Sequence, residues 1–291
     1  MLKHLNKSKK KPKRVIILGS NGFVSNAVQK KLFKLNIKVI GLTRKRIDLT
    51  KTESQKILSK IINYDDTVFF VAAKAPVKNE EMLIQNLKMA LNICKVLKDK
   101  KIRHLIYLSS DAVYADTSHK LNENSITSPN SLHGIMHLTR EIMISQIKDL
   151  PLCIIRPTLI FGCEDPHNGY GPNRFIRLAK KNKQIYLFGN GEEKRDHIWV
   201  EDVSKIICLI MLYRSIGKIN IASGRVYSFY NLAKKIKLFS RSSSKILTTP
   251  RDGPMPHRGY RPFNVNNLKK SFPNFKSSSF EKIARKIIKD Y

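Results

Sequence analysis

Residues 14–25 read RVIILGSNGFVS, and no other stretch restricts the fold of this chain so strongly. Val15, Ile16, Ile17 and Leu18 are too few for a stable helix and too uniformly apolar for a strand with one wet face. They predict a buried parallel strand. Gly19 and Gly22 break the run. Val24, Val28, Leu32 and Leu35 then fall at helical spacing, which predicts a helix over 23–35. Strand, glycine turn and helix in that order make a phosphate cradle. The bare turn lets the backbone approach a pyrophosphate, and the helix N-terminus directs partial positive charge at it.

The rhythm continues downstream. Further strands are expected at 38–42 (KVIGL), 67–72 (TVFFVA), 102–108 (IRHLIYL) and 152–155, separated by helix-compatible stretches. Met82, Leu83, Leu87, Ala90, Leu91, Cys94 and Leu97 mark an amphipathic helix over 79–97 that covers the sheet. Alternation of this kind predicts an α/β fold, a doubly wound parallel sheet of Rossmann type with ligands at the carboxyl ends of its strands. After a polar loop over 116–129, a helix capped by Asn130 or Ser131 carries His133, His137 and Glu141 on one stripe.

Beyond residue 156 the alternation loosens. Residues 161–174, FGCEDPHNGYGPNR, read as loop; 175–181 as helix; 185–188 as a short strand; and 189–191 as a turn. RDHIWVED leads into a helix over 203–213, and 219–221 is one more strand. Two or three basic helices then flank a Pro/Gly/Arg-rich stretch at 250–262. The expected division is a basic, solvated tail (1–12), a dinucleotide-binding domain (13–156 plus 193–222) and a smaller substrate-binding lobe (157–192 plus 223–291).

Composition narrows the function classes. With 291 residues, 42% of them apolar, the chain can fill a core without staples, and its four cysteines show no CxxC spacing. Buried thiols in a reducing compartment are expected. The basic N-terminus precedes no apolar secretory region, and the apolar run at 206–213 is far shorter than the roughly 20 residues of a membrane span. A soluble, cytoplasmic protein follows. The 55 basic against 22 acidic residues give a net charge of +33, but the excess is spread over most helices without an aromatic-interleaved basic ladder. Non-specific polyanion binding is the expected consequence. At the end of the second strand, Thr43, Arg44, Lys45 and Arg46 precede any carboxylate until Asp48. Arg44 therefore favours NADP over NAD, the alternative being a solvated charge cluster.

Taken together, LGSNGFVS at 18–25, DL at 48–49, VAA at 71–73, LSSDAVY at 108–114, RPTLIFG at 156–162 and RDHIWVEDV at 195–203 resemble the extended short-chain dehydrogenase/reductase family, the NAD-dependent epimerase/dehydratase group that works mainly on nucleotide sugars. The resemblance covers residues 13–275. It implies a nicotinamide cofactor held by Gly19, Asn21, Gly22, Phe23, Val24, Arg44, Asp48, Leu49, Ala72, Ala73, His137 and Pro157. It also implies a nucleotide-sugar substrate met by Ser110, Asp111, Asn173, Arg195 and Arg258 or Arg261, and a homodimer through the helices after Met82 and around His137.

Two departures stand out. Ser25 replaces the third glycine of the cradle, a small change. The family's catalytic Tyr-x-x-x-Lys aligns with His133-Gly134-Ile135-Met136-His137. Histidine can transfer a proton near neutrality without the tuning a phenol needs. His133 is therefore the candidate acid/base, Ser110 the donor to the reacting oxygen, and His137 the ribose anchor. No metal is expected, because Gly134 stands where an HExxH glutamate would be. Ala112 replaces the acid that partners Asp111 in dehydratases. The expected function is an NAD(P)-dependent oxidoreductase or epimerase of a nucleotide sugar. The alternative is an inactive member acting as a dinucleotide sensor or RNA-binding protein.

Overall fold

The computed structural model describes residues 2–166 and 168–290. His167, inside the loop read from the sequence, and the two terminal residues lie outside the described residues. In chain order the elements are β1 (Lys3–His4), β2 (Arg14–Leu18), α1 (Phe23–Lys34), β3 (Lys38–Leu42), α2 (Glu53–Ile61), β4 (Asp66–Phe70), α3 (Glu80–Asp99) and β5 (His104–Leu108). A single 3-10 turn, Asp111–Val113, precedes α4 (Leu132–Ser145), β6 (Leu152–Pro157), β7 (Leu159–Phe161), α5 (Pro172–Lys180), β8 (Ile185–Phe188) and β9 (Lys194–Trp199). The chain continues through α6 (Val200–Tyr213), β10 (Ser215–Ile221), β11 (Val226–Ser228), α7 (Phe229–Ser240), β12 (Ile246–Thr249), β13 (Tyr260–Arg261), α8 (Asn266–Ser271) and α9 (Phe280–Asp290). None of the helices of the described residues is long and apolar enough to cross a membrane.

Contacts divide the chain into two units. The first holds residues up to 115, 123–157 and 204–221. Its sheet runs β1-β10-β6-β5-β4-β2-β3, parallel except for β1. Both faces are covered. Ile16, Leu18, Val68, Phe70, Leu105 and Tyr107 pack with Leu58 of α2, Ile93 and Leu97 of α3 and Ile144 of α4. The alternate residues Val15, Ile17, Phe69, Ile106, Cys153 and Ile155 are also fully buried, as strand alternation requires of a doubly wound sheet. The chain leaves β2 for β3 on one side and returns to β4 on the other. That reversal opens a crevice at the carboxyl ends of β2 and β4.

The N-terminus differs from the solvated tail expected for residues 1–12. Lys3–His4 adds antiparallel to Ser215 and Ile216 of β10. The His4 ring stacks on Tyr213 at 4.8 Å, its Nδ1 meets Ser215 Oγ at 2.7 Å, and Pro12 is buried. Two residues carry no periodicity, so pairing at a sheet edge leaves no pattern to read.

The second unit holds residues 116–122, 158–203 and 222 onward. Here β9 pairs with β7, β11 and β13, while β8 and β12 form a parallel pair. Phe175, Ile176, Leu187, Leu232, Ile236, Ile283 and Ile287 form its core with α5, α7 and α9. Residues 193–203, assigned from sequence to the first domain, cluster here because β9 finds its partners here. Residues 116–122 do so through a bridge between Leu121 and Phe263. Helix α5 starts at Pro172, inside the stretch read as loop.

In the first unit α4 is fastened to the sheet by charge. Glu141 accepts from Arg156 Nε at 2.9 Å and Nη2 at 2.5 Å and from Ser109 Oγ at 2.5 Å, and all three residues are buried. Removing one partner of a buried ion pair strands the other. Glu141→Leu should therefore lower the unfolding free energy by about 3–5 kcal/mol, read from urea denaturation, whereas a surface Glu53→Leu control should shift it by less than about 0.5 kcal/mol.

Candidate active site and dinucleotide cleft

Gly19 ends β2 with φ +94°, and a Cβ there would stand 2.7 Å from the Ala72 Cα. Only glycine lets the β2 and β4 ends approach this closely. Gly22 precedes α1, whose first turn has no side-chain cap and no acidic residue, so its N–H groups remain available to an anion. Ser25, in place of the third glycine, is fully buried and donates its hydroxyl to the carbonyls of Gly19 (2.8 Å) and Gly22 (2.9 Å). The substitution thus tightens the turn it was expected merely to tolerate.

The crevice is a cleft of about 280 Å³ lined by Gly19, Asn21 and Gly22, by Thr43, Arg44, Asp48 and Leu49, and by Ala72, Ala73 and Lys74. Eight residues expected to hold a cofactor thus meet in one place. Phe23 and Val24 belong to the first turn of α1, and Pro157 ends β6; none of these three lines the cleft. Asp48 is engaged by Thr50 N (3.0 Å) and Thr50 Oγ1 (2.7 Å), which hold its carboxyl below its usual pKa. Arg44 stays largely exposed, 3.6 Å from Asp48. The bare glycine approach, the uncapped helix N-terminus and the flanking arginine fit a dinucleotide phosphate.

The far wall of the cleft is set by residues that periodicity could not flag. Asn86 of α3 binds both the N–H and the carbonyl of Lys74, each at 2.9 Å. Arg140 of α4, fully buried, donates to the carbonyls of Ala72 (2.9 Å) and Asn86 (2.7 Å). Both read from sequence as ordinary polar residues of a covering helix.

After β5, Ser110 caps the 3-10 turn by accepting from Ala112 N at 3.1 Å, with Asp111 Oδ1 3.5 Å from its hydroxyl. Ser131 caps α4. Gly134 then brings the helix against this turn: a Cβ there would lie only 2.1 Å from the Ala112 carbonyl oxygen. Helix α4 thereby brings His133 within reach of the Asp111 charge, next along the turn from Ser110. His133 is half-buried and meets His137 edge to face at 4.7 Å, and neither histidine lines the cleft. Burial lowers the pKa of His133 against the opposing pull of Asp111, and Arg140 lowers it further. His137 falls well below 6.5 through burial, then His133 and Arg140. Both rings are neutral at pH 7. Of the two nitrogens of His133, only Nδ1 is buried without a partner, which leaves Nε2 to meet a ligand.

In the second unit, Glu193 stands between two arginines. Oε1 accepts from Arg195 Nη1 at 3.1 Å and Oε2 from Arg251 Nη1 at 3.4 Å. The Nε atoms of both arginines and both ring nitrogens of His197 are buried without partners. Arg258, exposed with φ 52°, and Arg261, paired with Asp116 at 3.3 Å, stand outside this group. It is Arg251, not singled out from sequence, that shares the carboxylate with Arg195. Asn173, in the first turn of α5, is engaged by the loop before that helix, accepting from Gly162 N (3.0 Å) and donating to Asp165 (2.5 Å). Asp196, its pKa pushed up to about 6 by burial, accepts from Ser223 and Gly224 and so holds the turn after β10.

Comparison with known proteins agrees with this geometry. The chain is 26% identical over 278 residues to a UDP-N-acetyl-alpha-D-glucosaminuronate decarboxylase of Bacillus cytotoxicus, covering 84% of this chain and 86% of that one. Its fold matches the UDP-glucose 4-epimerase of Thermus thermophilus in complex with NAD at a TM-score of 0.83, with 19% identity over 95% of this chain and 98% of that one. It also matches a GDP-L-fucose synthetase of Naegleria fowleri bound to NADP at a TM-score of 0.81, with 17% identity over 99% and 96%. Residues 15–222 match the family profile over more than half of the sequence, and the chain belongs to the NAD dependent epimerase/dehydratase family.

Proposed function

We propose that this chain is an NAD(P)-dependent oxidoreductase or epimerase of a nucleotide-linked sugar. The observation that carries the reading is the cleft at the sheet's reversal, where Gly19 has no room for a side chain and the N-terminus of α1 lacks a cap. When bound, the dinucleotide supplies the electron acceptor or donor for a sugar carbon. Gly19, Gly22, Ala72 and Ala73 would hold it. Arg44, an exposed cation of the cleft beside Asp48, favours NADP, because Asp48 is already engaged by Thr50. His133 Nε2 takes or returns the proton of the reacting hydroxyl, and Ser110, aligned by the turn it caps, donates to the same oxygen. Arg195 and Arg251 suit the diphosphate of the substrate, which would replace Glu193 as their anionic partner.

The relatives named above are enzymes of nucleotide sugars, and nothing in the cleft favours the silent RNA-binding alternative. A homodimer through α3 and α4 is supported by the exposed Ile84 and Leu91 on the first helix and Ile135 and Ile142 on the second. The buried cysteines Cys94, Cys153 and Cys208, none in a disulfide, suit a reducing cytoplasmic setting.

The deciding experiment is a panel of nucleotide sugars assayed with each nicotinamide cofactor by absorbance and product analysis; binding of neither cofactor would overturn the reading. Arg44→Ala should weaken NADP binding about tenfold or more, the scale of a hydrogen bond to a charged group, and leave NAD within threefold. His133→Ala should lower kcat by about 10²–10⁴-fold without changing the fold. Because a base must be neutral and burial lowers the pKa of His133, activity in the base-requiring direction should fall on acidification with a midpoint below 6.5. A midpoint at or above 6.5 would contradict the assignment. Ile142→Asp should convert a dimer to monomer in light scattering.

A further inference from the structure

Tyr107, on β5, is fully buried, and its hydroxyl lies 2.8 Å from His137 Nδ1. Among the described residues no other hydrogen bond reaches this phenol oxygen, whose single hydrogen, buried away from water, must find an acceptor. His137 Nδ1 is the acceptor at hand. The reverse arrangement, with an Nδ1–H pointing at the phenol, would leave the Tyr107 hydroxyl hydrogen buried with nothing to receive it. Neither nitrogen of His137 is among the buried atoms without a partner, so Nε2 reaches the 6% of the residue that remains exposed.

We propose that Tyr107 is a positioning residue that locks His137 in the Nε2–H tautomer, so that the ring presents one neutral N–H donor where relatives of this fold carry the ammonium of Tyr-x-x-x-Lys. Tyr107 donates to His137 Nδ1, and the ring then ends in a hydrogen that can only be given. Its low proton affinity keeps His137 neutral and prevents a second cation from forming beside Arg140. The functional consequence rests on the cofactor reading above; the tautomer itself does not.

Histidine-labelled full-length protein without nucleotide, followed by long-range ¹H–¹⁵N correlation from pH 8 to 6, tests the lock directly, with His137→Gln assigning the signal. The expected result is a neutral Nε2–H ring in the wild type and a mixture of tautomers in Tyr107→Phe. An Nδ1–H ring in the wild type, or an unchanged tautomer in Tyr107→Phe, would overturn the proposal, and the wild-type spectrum decides even if that variant fails to fold. For binding, the amide nitrogen of Gln stands near Nε2 and that of Asn near Nδ1. His137→Gln should hold the dinucleotide within threefold of wild type and His137→Asn should lose about tenfold, the scale of one hydrogen bond. If the tautomer is as stated and no dinucleotide binds, the lock stands and the cofactor reading falls; if binding is tight and the ring is Nδ1–H, only the lock falls.

Discussion

Two arginines buried inside the first unit hold its working end together. A guanidinium in a protein interior costs several kcal/mol unless its donors meet acceptors, and here they are nearly all met. Arg140 directs its three nitrogens at Ala72 and Asn86 and lies over the Phe70 ring. Arg156 pairs with Glu141 and lies over Tyr114, whose hydroxyl continues to Asn220. Each bond has one geometry. Helix α4 can therefore neither slide nor turn on the sheet without stranding a charge, and its register sets where Gly134 meets Ala112 and where His133 feels the Asp111 carboxylate.

This fastening also decides the electrostatics of the site. An ammonium in the last position of Tyr-x-x-x-Lys would place a mobile cation beside the reacting groups. Here the permanent cation is Arg140, one turn further along α4 and covered by protein, and burial disfavours the charged form of the histidines before it. A phenol needs a cation to release its proton near neutrality, whereas an imidazole does not. On the proposed reading the two histidines make sense as a pair, each removing the need for a group that the other replaces.

The first unit's strands were legible because a parallel sheet buried on both faces writes itself as short, uniformly apolar runs; RVIIL and TVFF appear where they read. The cleft was legible for the same reason, since glycine at a strand end has few other uses. Arg140 and Asn86 were not. Their partners are backbone carbonyls at residues 72, 74 and 86, and a carbonyl leaves no trace in the identity of its residue. Tyr107 read as one more apolar position of a strand, because nothing in HLIYL shows that its hydroxyl faces a histidine thirty residues on. Arg258 and Arg261, rather than Arg251, were expected from the family resemblance, while the carboxylate that Arg251 shares with Arg195, Glu193, lies 58 residues from Arg251 and could be recognised only in three dimensions.

The small strand at Lys3–His4 has a consequence of its own. An unpaired β10 would present a row of free N–H and C=O groups at the margin of a long sheet, a template on which another chain could add itself. The antiparallel partner, held by the His4 ring on Tyr213 and by Asn6 on the Leu212 carbonyl, covers the first two residues of that margin from within the same molecule. Residues that carry no catalytic group thus close the place where this strand begins, and a stretch that reads as an idle leader adds one short rung to the sheet.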